Sequence, residues 1–201
     1  MNSDYTAPDK NFDDLVAKFA RKVYAGLKGR IRLAILERDL GQFSPQLFLP
    51  KSGRPMTILD AGGGMGPFSI PLARNNHRVT VVDHSEKMLA EARKTSDQLG
   101  VLDQVKLVHQ PIQEFTQTHS AEFDLVLCHA VLEWTADPEV LINCLVERVK
   151  PGGLLSIVFY NIHGMIFKNL LRANYKKIEH RRYQGWPGSL TPVNPLSSGQ
   201  I

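Results

Sequence analysis

What this chain of 201 residues lacks narrows its function before any motif is read. Two cysteines, Cys128 and Cys144, are too few for a disulfide framework and have no metal-ligand spacing. Cys128 ends an apolar strand-like run and Cys144 falls in a helical pattern, so both read as buried and inert. No cluster of ligating side chains suggests a metal, and none is expected. No apolar run is long enough to cross a bilayer, and no apolar secretory core opens the chain. The chain therefore reads as soluble and cytoplasmic, with no membrane partner. No Cys–His or Ser–His arrangement stands out as an activated nucleophile. Acid is scarce in one place only. Residues 161–201 carry six Lys and Arg against the single acid Glu179, whereas residues 1–160 carry 18 bases and 19 acids. The formal charge of +4 is thus concentrated in the last fifth. Such a segment suits a polyanion partner, although a solvated helix face with a loose tail has the same composition.

What is present is a glycine-rich bend, Leu59-Asp-Ala-Gly-Gly-Gly-Met-Gly66, after the β-type run Met56-Thr-Ile-Leu59. Glycines at 62, 64 and 66 permit positive φ and close backbone approach to a ligand. A turn without ligand, or a nicotinamide site, would share those glycines. Dinucleotide sites, however, put a pyrophosphate over the helix that follows. Asp60, two residues before the first glycine, would repel phosphate and attract the ammonium of a sulfonium nucleoside. That spacing favours S-adenosylmethionine over NAD. Arg78-Val-Thr-Val-Val-Asp83 is a second strand ending in an acid about 20 residues on, the distance at which a carboxylate meets ribose hydroxyls.

Periodicity predicts strands at 57–61, 78–82, 105–109, 123–128 and 154–160. Helices are predicted at 12–27, 30–40, 67–75, 85–99, 136–148 and 163–177. In the second of these, Ile31, Ala34 and Ile35 share a side, with Arg32 displaced from it. Strand–helix alternation with continuous apolar strands argues an α/β fold, a mostly parallel sheet with helices on both faces. Ligands in such sheets sit at the carboxyl ends of the strands. Asp60, Asp83, Ile112 with Gln113, and His129 all fall at or just past those ends.

The ordered motifs LDAGGGMG, VVDHS, FDLVLCHAVLEW, DPEVL and VKPGG resemble class I S-adenosylmethionine-dependent methyltransferases, of Rossmann-like fold, over roughly residues 55–160. With the flanks NFDDLVAKFARKVYAGLKGRIR and FYNIHGMIFKNLL, the chain is similar over roughly residues 11–175 to the bacterial tRNA 5-carboxymethoxyuridine methyltransferases. That resemblance implies methyl esterification of the modified uridine's carboxylate at the wobble position, with the tRNA anticodon loop as partner. It implies Gly62 and Gly63 at the methionine end of the cofactor, Asp83 at the ribose, and Ile112 with Gln113 at the adenine. Arg32 and His129 match further cofactor positions. Asp60 and Gly64 join them from the bend itself. An ionised carboxylate acceptor needs no general base, so no catalytic base is expected. Tyr160, Asn161 and His163, following the fifth strand, are placed at the acceptor, where Tyr160 or Trp134 could stack on an extruded base. Lys168, Arg172, Lys176, Lys177, Arg181 and Arg182 are placed on anticodon-stem phosphates, with Arg172 and Lys176 sharing a helix face.

The expected organisation is a disordered segment 1–10, N-terminal helices covering the cofactor over 11–55, a methyltransferase core at 56–177 and a basic, Gly/Pro-rich segment at 178–201. That last segment shows no strand-like run, where the fold ordinarily adds two more strands. The chain thus reads as truncated, with its fifth strand an exposed edge inviting self-association. Two other readings stay open: a methyltransferase acting on a small molecule such as a quinone precursor, and a non-catalytic fragment that binds the cofactor or RNA.

Overall fold

The computed structural model describes residues 12–16, 26–49, 54–183, 190–192 and 195–200. The expected disordered residues 1–10, and residues 17–25 in the body of the expected first helix, lie outside them. Five strands form one sheet: β1 Thr57–Ala61, β2 Arg78–Asp83, β3 Val105–His109, β4 Phe123–His129 and β5 Val149–Val158. Their order is β3-β2-β1-β4-β5, and every neighbouring pair is parallel. The chain builds outward from β1 through β2 to β3, then crosses back to lay β4 on the other side of β1. The strand order reverses there, opening a crevice above the carboxyl ends of β1 and β4.

Alternation along the strands divides the core into two layers, one on each sheet face. Ile58, Val79, Val81, Leu125 and Leu127 point into one layer with Ile70 and Leu89. Leu59, Ala61, Val82, Val126 and Cys128 point into the other with Phe115, Leu141 and Leu145. Full burial of each large aliphatic side chain stabilises by roughly 1.5–3 kcal/mol, so strands apolar on both faces have no lower-energy place than the middle of the sheet.

Helices α1 Leu27–Phe43, α2 Ser69–Leu72, α3 Glu86–Gln98, α4 Ile112–Thr118, α5 Pro138–Val146, α6 Ile162–Leu171 and α7 Tyr175–Glu179 cover and flank the sheet. Local chemistry explains several of their starts. Ser85 caps α3 by accepting from the Met88 amide at 3.2 Å, and Asp137 caps α5 through the Val140 amide at 3.0 Å, with Pro138 at the first helical position.

Several features differ from the sequence expectation. The helix expected at 67–75 shrinks to α2, which tightens into a 3-10 turn at Ala73–Asn75 and stops at Asn76 with φ 70°. Helix α4 was not expected, because seven residues give too little periodicity to read. Strand β5 starts at Val149, five residues early, because Val149 pairs with Phe123 and a register shift then absorbs Pro151 and the glycines. On the edge of the described sheet a proline costs no ladder bond. The helix expected over 163–177 breaks after Leu171. Ala173 takes φ 54° and the Asn174 amide reaches back to the Asn169 carbonyl at 2.9 Å, so Arg172 and Lys176 share no continuous helix. Finally, the C-terminal segment is partly anchored: Leu196 bridges Asn161 beyond the end of β5 and is only 4% exposed within the second core layer.

Helix α1 is also rotated from its expected face. Ile31 and Ile35 stay 49% and 43% exposed, while Gly29, Leu36 and Leu40 are buried and Arg32 is half-buried. Apolar residues lie on both sides of this helix, so periodicity alone could not choose the inward one. That rotation turns Arg32 toward the sheet.

Candidate cofactor and acceptor site

The crevice at the β1–β4 switch holds two adjoining cavities. The larger is walled by the Gly62–Gly64 bend, Asp83, Met88, Ile112, Gln113, His129 and Trp134, among others. The smaller is walled by Arg32, Asp60, Phe68 and Val158, and shares Gly62, Gly63 and His129 with the larger. All nine residues assigned to a cofactor from sequence therefore border one or other of two cavities that share walls.

The bend is shaped by its neighbours. Gly62 and Gly64 adopt φ 70° and 56°, conformations that side chains disfavour. Gly63 sits directly over Asp60: a Cβ there would lie 2.4 Å from the carboxylate carbon. The chain thus passes the acid with no room for any side chain, leaving bare backbone as the cavity floor. Asp60 itself is buried and accepts from the Ser69 hydroxyl at 2.5 Å. Desolvation, opposed by that bond, pushes its carboxyl up to about 6.

Asp83 closes the next wall. One of its oxygens accepts the Gly64 amide and the other the Ser85 amide, both at 2.8 Å, which orients the carboxylate toward the cavity. Each oxygen keeps a second lone pair for a ligand hydroxyl. Burial raises this carboxyl above its ordinary range, with the Ser85 and Gly64 amides opposing. His129 is desolvated to about 4 and its Nε2 lies 2.9 Å from the Ser156 hydroxyl, so at neutral pH it is an uncharged ring held in one orientation. Ala130 follows in a left-handed conformation, φ 59°, with its amide on the Val158 carbonyl.

Two N-terminal residues, Phe12 and Asp13, meet the cavity and its rim. Phe12 lines it and meets Trp134 edge to face, ring centroids 5.1 Å apart, while Asp13 accepts the Ser85 hydroxyl at 2.6 Å. Trp134 is buried at 7% exposure against the cofactor compartment rather than open to an incoming base, as the sequence had suggested for it. Phe12 gave no sequence signal beyond its helical spacing, and its closeness to Trp134 spans more than 120 residues.

The residues assigned to an acceptor lie outside these walls. Tyr160 and Asn161 follow β5 half-buried, and the side-chain Oδ1 of Asn161 accepts from the His163 amide at 2.8 Å as the cap of α6. His163 is exposed. Lys168, Arg172, Lys176, Arg181 and Arg182 are exposed and Lys177 half-buried; none forms an ion pair among the described residues. Lys168 is pushed below the ordinary lysine range by partial burial and then by the charges of Arg172 and of Lys28 on α1, a base the sequence reading had not grouped with them. Among the described residues no group of three or more His, Cys, Asp and Glu is placed to hold a metal, and no helix is long and apolar enough to cross a membrane.

This site and sheet define a class. The donor set suits a cationic nucleoside: a carboxylate for a diol, apolar walls at Ile112, Met88 and Val131 for a purine, and buried acids rather than a helix N-terminus under the bend. A diphosphate would face Asp60 and Asp83 with no long helix to receive it. The chain belongs to the class I S-adenosylmethionine-dependent methyltransferases, and S-adenosylmethionine is its cofactor. The family described as "Methyltransferase domain" matches residues 59–157. The tRNA 5-carboxymethoxyuridine methyltransferase of Escherichia coli K12 is 35% identical over 193 residues, 96% of this chain and 72% of that protein. The ubiquinone biosynthesis O-methyltransferase of Psychrobacter cryohalolentis is 30% identical over 112 residues, 55% of this chain and 44% of that protein. The magnesium protoporphyrin IX methyltransferase of Synechocystis PCC 6803, solved with S-adenosylhomocysteine, shares the fold at TM-score 0.65, with 20% identity over 94% of this chain and 80% of that one. Against other methyltransferase structures, such as that from Geobacter sulfurreducens, this chain spans less than half (47%) of the known protein's length.

Proposed function

We propose that this methyltransferase esterifies the carboxylate of 5-carboxymethoxyuridine at the wobble position of tRNA. The observation that carries the reading is the extent of the likeness to the Escherichia coli tRNA enzyme. It runs over 96% of the chain, through α1 and the basic region after β5, whereas the ubiquinone enzyme's match covers 55%. A small-molecule reading leaves the unpaired bases of α6, α7 and the turn beyond them without a role.

In this reading the nine cavity residues hold the cofactor. Asp83 receives the ribose hydroxyls, Ile112 and Gln113 flank the adenine, and the Gly62–Gly64 backbone lies along the methionine end. Arg32 meets the methionine carboxylate through its planar fork, and Asp60 faces the ammonium. His129, neutral and fixed by Ser156, offers a hydrogen bond without charge. The bound cofactor supplies a methyl group already activated by the sulfonium. In-line transfer of that methyl to an acceptor carboxylate oxygen would break the C–S bond and leave the electron pair on sulfur as neutral thioether. The acceptor is ionised at neutral pH, so the protein's work is alignment and exclusion of water. Tyr160, Asn161 and His163 orient the modified base, and Lys168, Arg172, Lys176, Lys177, Arg181 and Arg182 neutralise phosphates of the anticodon arm.

Incubation with radiolabelled methyl donor and bulk bacterial tRNA, followed by nuclease digestion, tests this directly. A base-labile methyl ester on a modified uridine is the expected product. Label absent from tRNA, with the cofactor bound normally, would remove the tRNA reading.

A further inference from the structure

Glu133 is unlike every other acid of the site. It lies in the 3-10 turn Leu132–Trp134 after β4, is 0% exposed, and neither carboxylate oxygen has a hydrogen-bond partner. The amides of Glu133 itself and of Tyr160 are close without completing a bond, and the nearest opposite charge felt by the carboxylate is that of Arg32. A buried, unpartnered carboxylate costs stability, and so calls for a function.

The surroundings supply one. Arg32 comes from α1, half-buried, and forms no ion pair among the described residues. It borders the smaller compartment beside Ala130 and Val158. Glu133 lines neither cavity, but its carboxylate feels the Arg32 charge and the Tyr160 amide, which puts it close to the wall that Arg32 borders. Two opposite charges, each without a partner, thus flank the methionine end of the cavity. A guanidinium is a planar fork with five N–H donors and can serve two carboxylates on different edges.

We propose that Glu133 is a positioning residue: on cofactor binding it receives one edge of the Arg32 guanidinium, so that the other edge is fixed on the methionine carboxylate. This rests on the assignment of Arg32 to that carboxylate. In the free protein the pair stays apart, and bound cofactor completes a carboxylate–guanidinium–carboxylate row.

Calorimetric titration with S-adenosylhomocysteine tests it on four proteins: the unaltered chain, Glu133→Gln, Arg32→Ala and the double variant. Glu133→Gln is expected to weaken binding about tenfold at pH 8, and to add less than twofold once Arg32 is alanine. Because it removes an unpaired buried charge, Glu133→Gln is also expected to raise the melting temperature of the free protein. Glu133→Asp, keeping the charge on a shorter arm, should recover part of the affinity. Unchanged affinity with a lowered melting temperature, or failure of Glu133→Gln to fold, would make Glu133 a structural residue and overturn the proposal. Full additivity of the two substitutions would overturn it as well. If Arg32→Ala alone leaves affinity unchanged, it is the Arg32 assignment that fails, and this inference with it.

Discussion

The two ends of one sheet treat their acids in opposite ways. At the amino ends of β1 and β4, Asp124 accepts from the Thr57 amide at 2.7 Å, the Thr57 hydroxyl at 2.8 Å and the Lys150 ammonium at 2.9 Å. Against the desolvation of its partial burial, those donors hold its carboxyl down to about 2. At the carboxyl ends, Asp60 is pushed up to about 6 and Glu133 to about 7, both chiefly by desolvation, and Asp83 rises for the same reason. One end has its donors in place and staples β1, β4 and β5 together. The other end keeps acids short of donors, which is the condition of a surface waiting for a cationic ligand. Stability and binding have been separated by about the length of a strand.

The sharpest way to break that contrast is Gly63→Ala. Its methyl group would meet the Asp60 carboxylate at 2.4 Å, and backbone on one side with a buried acid on the other leaves nowhere to retreat. Loss of S-adenosylhomocysteine affinity by at least about a hundredfold is expected by calorimetry, since a misplaced floor removes several contacts together. Measurable binding within tenfold of the parent would show that the bend is not the cofactor floor.

Next in size is the opposite end. Asp124→Asn should destabilise by about 1–3 kcal/mol in urea titrations at pH 7, because it leaves the Lys150 ammonium without its counter-charge and weakens two bonds to Thr57. Cofactor affinity should not change. The sign of its pH dependence follows from a depressed carboxyl: the stabilisation is complete above the ordinary value of 3.8 and is lost as pH falls through about 2.

Most diagnostic is the reverse pH dependence expected at the cofactor end. A raised carboxyl binds more protons folded than unfolded, so Asp60 makes the free protein less stable as pH climbs from 3.8 to about 6, after which the cost is constant. Asp60→Asn should abolish that slope and make the free protein more stable at pH 8, by at most on the order of 2–3 kcal/mol. It should also weaken cofactor binding. Melting curves across pH 4–8 showing no difference between the two proteins would mean that Asp60 is not desolvated as the structure requires.

Much of the frame was readable in the residues. Strands β1 to β4 lie within a residue of where apolar runs predicted them, because a strand buried on both faces has to be apolar throughout; β5 overlaps its expected run but starts five residues earlier. The cofactor-end acids Asp60 and Asp83 were readable because they interrupt or close such runs. Less legible was anything set by rotation or by distance in sequence. Arg32 faces the cavity only because α1 buries Gly29, Leu36 and Leu40 rather than Ile31 and Ile35, a choice between two apolar stripes of similar quality. Ser156, which orients His129, looked like one more position of an edge strand.

Residue order alone encodes the parallel α/β frame, the glycine bend and the sheet edge that carries the acids, since these follow from side-chain period, allowed φ angles and the position of acids at strand ends. Packing in three dimensions sets which groups gather at that edge: Phe12 against Trp134, Arg32 turned inward, and Glu133 fully buried. Those are meetings of segments far apart in the chain. Such meetings depend on how helices and strands pack against one another, and no local pattern encodes them.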